Sequence, residues 1–170
     1  MSNPIHAIYG LIFKVWRRKR FRLFVEVMAP APDDLLLDVG GYPQFWMSNP
    51  QPVKRIDSLN IHPVEWDSAA HPDYQIRTVI GNGCALEMAD KSYDIVFSNS
   101  VIEHVGSWEQ QQAFAAEIRR VGKALWIQTP AYECPIEPHY LAPFVHYLPP
   151  SVQRRILRWC SPWGLITKPA

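Results

Sequence analysis

Leu35-Leu36-Leu37-Asp38-Val39-Gly40-Gly41, the string LLLDVGG, is an apolar run that ends in an acidic residue and two glycines. A strand covered on both faces needs no polar alternation, so this run reads as a buried parallel strand. A glycine directly after such a strand lets the backbone turn tightly and approach a ligand more closely than any Cβ would allow. Three further strand-like runs, VKRIDSLNI from Val53, YDIVFSNS from Tyr93 and KALWIQTP from Lys123, also end in polar or small residues. Their ends are therefore expected to converge on one nucleotide-sized crevice.

The surrounding pattern extends this to a domain. At 170 residues and 48% hydrophobic the chain suits one compact core. Strands are expected near 34–39, 53–59, 75–80, 93–98 and 123–128, alternating with helical or irregular connections as parallel βαβ units do. The clearest helix lies between the last two. Ser107 with Gln110 three residues on is a capping box, Phe114, Ala115, Ile118 and Val121 form an apolar stripe, and Gly122 supplies a stop. YPQFWMSNPQP, after the first strand, allows only a short or irregular helix. Three segments follow: a basic helix within 1–30, a core at 31–130, and a Pro- and aromatic-rich tail at 131–170 with a short helix at 151–160.

Charge is unevenly distributed. Residues 1–30 carry six Lys/Arg against one Glu, residues 151–170 carry four basic groups and no acid, and the middle is acidic, so the formal charge of +1 gives no reason to expect nucleic acid. Cys84, Cys134 and Cys160 are odd in number and far apart, which fits neither a disulfide framework nor a zinc cluster. A cytoplasmic setting and no metal are expected. Ile5, Ile8, Tyr9, Ile12, Trp16, Leu23 and Val27 fall at helical spacing, giving an amphipathic helix over 4–28 that is too short and too basic to span a bilayer or serve as a signal peptide. Such a face covers a core or, with its Lys/Arg beside Trp and Phe, lies on an anionic membrane through residues 5–22.

The strings LLLDVGGYPQFW, IGNGCALEMADKSYDIVFSNSVIEHVGSWEQQQAFAAEIRRVGKALWIQTP and PIEPHYLAPFVHYLP, covering roughly 34–150, resemble the class I S-adenosylmethionine (SAM) dependent methyltransferases, specifically the methyltransferase type 11 group. The resemblance implies an α/β, Rossmann-like parallel sheet of strand order 3-2-1-4-5 with helices on both faces. It implies SAM as cofactor and methyl transfer to a small-molecule or lipid- or sugar-linked acceptor. The glycine turn that holds the methionine part of SAM maps to Asp38, Gly40 and Gly41, with Tyr42 and Gln44 where the wider family has further glycines. The ribose hydroxyls call for an acidic side chain near the end of the second strand. Asp57 and Asn60 both qualify, the first by chemistry and the second by alignment of the strings.

Asn82, followed by Gly83 and Cys84, stands where an Asp usually meets the adenine amino group, and an amide oxygen can still accept there. Ser98 and Asn99 end the fourth strand and match the segment lining the cofactor and the acceptor. Transfer from a sulfonium needs alignment and exclusion of water, plus a base if the acceptor is a hydroxyl. His104 and His139 are the first candidates, ahead of Glu103 and Glu137. The family's sheet normally ends with two more strands, one antiparallel. The chain stops before a candidate for either, which leaves an apolar edge strand that predicts pairing with another copy as a homodimer, coverage by the tail, or poor solubility. A methyltransferase-like fold that binds a partner without catalysis is the alternative, and a dehydrogenase is disfavoured by the lack of GxGxxG spacing.

Overall fold

A computed structural model describes residues 4–49, 52–131, 136–137 and 142–160. Its contacts form two compact units, one of residues 12–129 and the other of residues 1–11 with 130–170.

The larger unit is built on a five-stranded, all-parallel sheet in which β1 (Leu35–Val39) is central. It lies between β2 (Arg55–Asn60) and β4 (Tyr93–Asn99), with β3 (Gln75–Ile80) and β5 (Gly122–Gln128) at the edges, in the order β3-β2-β1-β4-β5. In register, Asp38 pairs with Ser58 on one side and Phe97 on the other. Strand boundaries agree with the sequence expectation to within two residues, because an uninterrupted apolar run bounded by Pro, Gly or Asp has little freedom to slide.

Period-two alternation sends successive β1 side chains to opposite faces. Leu36 joins Phe21, Phe24, Trp46, Val53, Ile56, Ile76, Ile95 and Phe97, and this face is covered by helix α1 (Pro4–Met28) and the short α2 (Pro43–Met47). Leu37 and Val39 join Leu59, Leu86, Tyr93, Val96, Phe114, Ile118 and Val121 beneath α3 (Trp108–Val121). Helix α3 starts at the expected capping box: Gln110 N–H donates to Ser107 Oγ, and the Gln110 side chain accepts from Ser107 N–H. Gly122 ends it in extended rather than left-handed geometry, being already the first residue of β5.

Among the described side chains, the buried side of α1 is not the stripe the spacing suggested, and Ile5, Ile8, Tyr9 and Ile12 lie outside them. Phe21 and Phe24 enter the core, whereas Trp16, Leu23 and Val27 are about half exposed. Phe24 meets Trp46, Phe97 and Trp126 edge-on at 6.4, 5.1 and 5.6 Å between ring centroids, an aromatic cluster that holds this face of the helix inward.

The crossover from β3 to β4 has no helix among the described residues. Arg120 of α3 holds this segment instead. Its Nη1 donates to the Met88 carbonyl and to Asp90, its Nη2 to the Leu86 carbonyl, and both Nε and Nη2 to Glu117, all at 2.7–2.8 Å. Glu117 also accepts from Leu86 N–H, and the Arg120 guanidinium holds its carboxyl down to about 2. In the smaller unit, β6 (Ile136–Glu137) pairs antiparallel with β7 (Ala142–Pro143), and α4 spans Pro150–Cys160, close to the expected 151–160. None of the described helices is long and apolar enough to cross a membrane.

Asp57 lies mid-strand in β2 with its carboxylate almost fully buried. It accepts two bonds from the half-exposed Arg77, at 2.9 and 2.6 Å, and one from Tyr93 Oη at 2.8 Å. Removing Arg77 strands a buried charge, whereas removing Asp57 leaves an arginine that water can solvate. Arg77→Met should therefore cost roughly 3 kcal/mol in urea unfolding, more than Asp57→Leu, and the double variant should recover most of the loss. Equal costs for the two single variants would contradict this asymmetry.

Candidate cofactor site

The carboxyl ends of β1, β2 and β3 open onto a cavity of about 350 Å³, within the size range of small-molecule sites. Its wall comprises Val39 and Gly40, then Leu59, Asn60 and Ile61, then Gly81 to Cys84. Val101, His104 and Val105 from the turn after β4, with Gln110 and Phe114 of α3, close the remaining side. Asn60, Asn82, His104 and Gln110 are among its described lining residues, and no Asp or Glu is.

Two glycines make room at close quarters. Gly40 has φ +79°, a conformation that side chains disfavour, and a Cβ there would press on Val101 at 2.6 Å. A Cβ on Gly83 would strike the Phe114 ring at 2.7 Å. The turn is fastened to β2: Gly40 N–H donates to the Leu59 carbonyl at 2.7 Å, and the Gly41 carbonyl accepts from Ser58 Oγ at 2.7 Å and Asn60 Nδ2 at 2.6 Å. On the third strand's exit, Asn82 Oδ1 accepts from Cys84 N–H at 2.9 Å, a local turn that presents the segment to the cavity.

The structure thus brings Gly40, Asn60, Asn82, Gly83, Cys84 and His104 to one cavity. Asp38 is placed differently. Alternation along β1 turns its side chain to the α1 face, where Trp46 Nε1 donates to Oδ2 at 2.7 Å and the carboxylate sits directly beneath Gly41. Gly41 therefore supports the turn through its carbonyl and is not part of the wall. Of the two ribose candidates, Asp57 is two residues deeper on the wall's face of the sheet, off the described wall, and engaged by Arg77 and Tyr93. Asn60, at the strand's end, is the one of the two candidates at the cavity.

Ser98 is spent on the Val39 carbonyl at 3.0 Å, and Asn99 points to the α1 face, so neither lines the cavity. His139 lies outside the described residues. Ile61, Val101, Gln110 and Phe114 were not singled out as wall residues. Phe114 and Gln110 were legible only as helix stripe and cap, and Val101 only as part of the string SNSVIEHV.

A five-stranded parallel sheet of this order, with its nucleoside-sized cavity beyond the central strands, defines the class I methyltransferase fold. The family model described as a methyltransferase domain (methyltransferase type 11) matches residues 38–124, just over half of the chain. The chain belongs to that family, whose members use SAM as methyl donor. Two solved structures share the fold. One, from Galdieria sulphuraria and assigned as a sarcosine dimethylglycine methyltransferase, is 24% identical with a TM-score of 0.52, covering 69% of this chain and 45% of that one. The other is the complex of the Haloferax volcanii Trm112 methyltransferase activator with an assigned methyltransferase, 17% identical with a TM-score of 0.50, covering 69% and 54%. The chain spans about half the length of each. No curated protein matches it.

Burial raises the Asp38 carboxyl from 3.8 to about 7, with the Trp46 hydrogen bond opposing the rise. The native state thus binds a proton that the unfolded chain releases above pH 4. Native stability attributable to this group is full below that point and falls as pH rises to about 7, by on the order of 4 kcal/mol. Denaturation midpoints should drop between pH 5 and pH 8 in the wild type, and Asp38→Asn, which keeps an acceptor for Trp46, should flatten most of that drop. An unchanged pH slope in the variant would remove Asp38 as its source.

Proposed function

We propose that the chain is a SAM-dependent methyltransferase domain that binds the adenosyl part of SAM in the cavity bounded by Gly40, Asn60 and Asn82 to Cys84. The observation that carries the reading is the coincidence of three features: a glycine in left-handed geometry at the end of the central strand, strand exits of β2 and β3 that offer amides, and apolar side chains on both sides. Ile61, Val101 and Phe114 give flat apolar cover for a purine. Asn82 offers polar atoms for the base, and Asn60 stands at the position of the ribose contact. With a neutral amide in place of a carboxylate, that contact has less electrostatic support.

The reaction asks little of the protein beyond positioning. SAM supplies an activated methyl on a positively charged sulfur, so the chain's task is to hold donor and acceptor in line and exclude water. His104 is at the cavity wall, on the side closed by the turn after β4. It is a candidate for orienting the donor or relaying a proton.

Calorimetric titration should give micromolar binding of SAM and none of NAD. Asn60→Ala, which frees the Gly41 carbonyl, should weaken SAM at least about tenfold, the effect of losing roughly one hydrogen bond in a buried setting. Asp57→Asn should leave affinity within about twofold in folded protein, as expected for a residue off the wall. Absence of SAM binding by the folded wild type would end this reading in favour of a non-catalytic binding module.

A second reading concerns α1. Its Arg17, Arg18, Lys19, Arg20 and Arg22 are exposed beside the exposed Leu23 and Val27, a combination suited to anionic headgroups. Co-sedimentation with phosphatidylserine-containing liposomes should fall sharply in Arg17→Glu/Arg18→Glu/Lys19→Glu and with added salt. Equal sedimentation of the variant would reject membrane contact.

A further inference from the structure

Three primary amide side chains stand on the wall of the cofactor cavity, those of Asn60, Asn82 and Gln110. The two ends of an amide are told apart by their partners, since a backbone N–H can only donate and a backbone carbonyl can only accept. Each of the three has such a partner. Asn82 Oδ1 accepts from Cys84 N–H at 2.9 Å, and Gln110 Oε1 accepts from Ser107 N–H at 2.8 Å. Asn60 is reversed, its Nδ2 donating to the Gly41 carbonyl at 2.6 Å. A half-turn of any of these amides would set N–H against N–H or oxygen against oxygen, so the backbone fixes the polarity of the wall.

The wall is therefore uneven. Asn60 leaves its oxygen for a ligand at the exit of β2. Asn82 and Gln110 leave both N–H groups of their amide nitrogens, which have no partner among the described residues. These two belong to one end of the cavity, because Cys84 Sγ donates to the Gln110 carbonyl at 3.4 Å and ties the exit of β3 to the start of α3. The Asn82 oxygen, expected to accept from an adenine amino group, is already engaged by Cys84 and keeps a single lone pair against two free N–H groups. No Asp or Glu is among the described lining residues to take over as acceptor. This end meets a ligand chiefly as a donor.

Purines differ at the atoms such a donor reads. A 6-aminopurine has N–H groups at position 6 and lone pairs at N1 and N7, whereas a 6-oxopurine has an oxygen at position 6, an N–H at N1 and a lone pair at N7. A carboxylate at this edge would accept from the amino group and repel the oxo oxygen, separating the two bases strongly. An amide held with its nitrogen outward donates to N1 or N7 of the first and to O6 or N7 of the second. It separates them little.

We propose that Asn82 sets the base specificity of this cavity, and that the site admits 6-oxopurine nucleosides alongside the 6-aminopurine of SAM. The inference rests on the reading of the cavity as the adenosyl site and states which bases that site takes. Ile61, Val101 and Phe114 cover either ring system alike, because the two purines share one outline, and Asn60 meets the same ribose in both. The amide of Asn82 is where they part.

S-adenosylhomocysteine, the thioether left after methyl transfer, and S-inosylhomocysteine, its 6-oxo counterpart, serve as probes. Calorimetric titration of the wild type should give affinities within about threefold of each other. Asn82→Asp keeps an oxygen for Cys84 N–H and turns the free end into an acceptor, so it should favour the adenosyl probe over the inosyl one by at least about tenfold. In ¹⁵N-labelled wild type the Asn82 side-chain amide cross-peaks, assigned by their loss in that variant, should shift with either probe. A wild type that prefers the adenosyl probe by about tenfold or more, an unchanged preference in Asn82→Asp, or amide peaks that neither probe moves would overturn the role of Asn82 and leave the cavity as the SAM site. Binding of neither probe by the folded wild type overturns the methyltransferase reading and this inference with it.

Discussion

Everything at the cofactor site depends on one carboxyl group placed where water does not reach. Asp38 sits under Gly41, on the face of β1 away from the cavity, with the Trp46 indole as its donor. Any side chain at position 41 would overlap it, so the second glycine of the pair is required by what lies below the turn. The first is required by what lies above, since Gly40 must adopt a positive φ and clear Val101. Ser58 and Asn60 complete the arrangement by holding the Gly41 carbonyl. The acid of the motif therefore acts through the shape of the turn, and the cavity wall at this strand end is left to backbone and amides.

This division follows from strand alternation. Odd and even positions of β1 and β2 serve different faces, so a motif read as one linear string is split in space. Asp38, Ser58 and Asn99 go to the α1 side, while Val39, Leu59 and Phe114 meet on the α3 side with the cavity, whose rim Asn60 reaches at the end of β2. Asp57, on the α3 side but nearer the strand's start, becomes half of an ion pair.

That split also explains how much was legible beforehand. The strands and the cap of α3 follow from local signals, apolar runs and Ser107 with Gln110, whereas the strand order came only with the family resemblance. The site was readable to the level of the strand ends and no finer. Asp57 looked like the ribose ligand because composition favours an acid, but composition does not say which residue of β2 is the last one on the sheet. The position of Asn60 at the end of β2, beside the cavity, was recoverable from the string. The stripe on α1 misled because periodicity weighs Leu23 and Val27 like Phe21 and Phe24, whereas an aromatic core selects rings.

The guanidinium of Arg120 spans three carbonyl or carboxylate groups of the β3–β4 connection and one of its own helix. Its planar fork donates in several directions at once, which a single ammonium nitrogen cannot imitate. Lysine at this position would keep the charge and lose the geometry, releasing residues 86–90 and with them the anchorage of the neighbouring stretch that ends at Cys84. One fork on the far end of α3 thus braces the connection that runs on from the cavity wall, and an arginine methylated here would loosen a nucleoside-sized hollow it never touches.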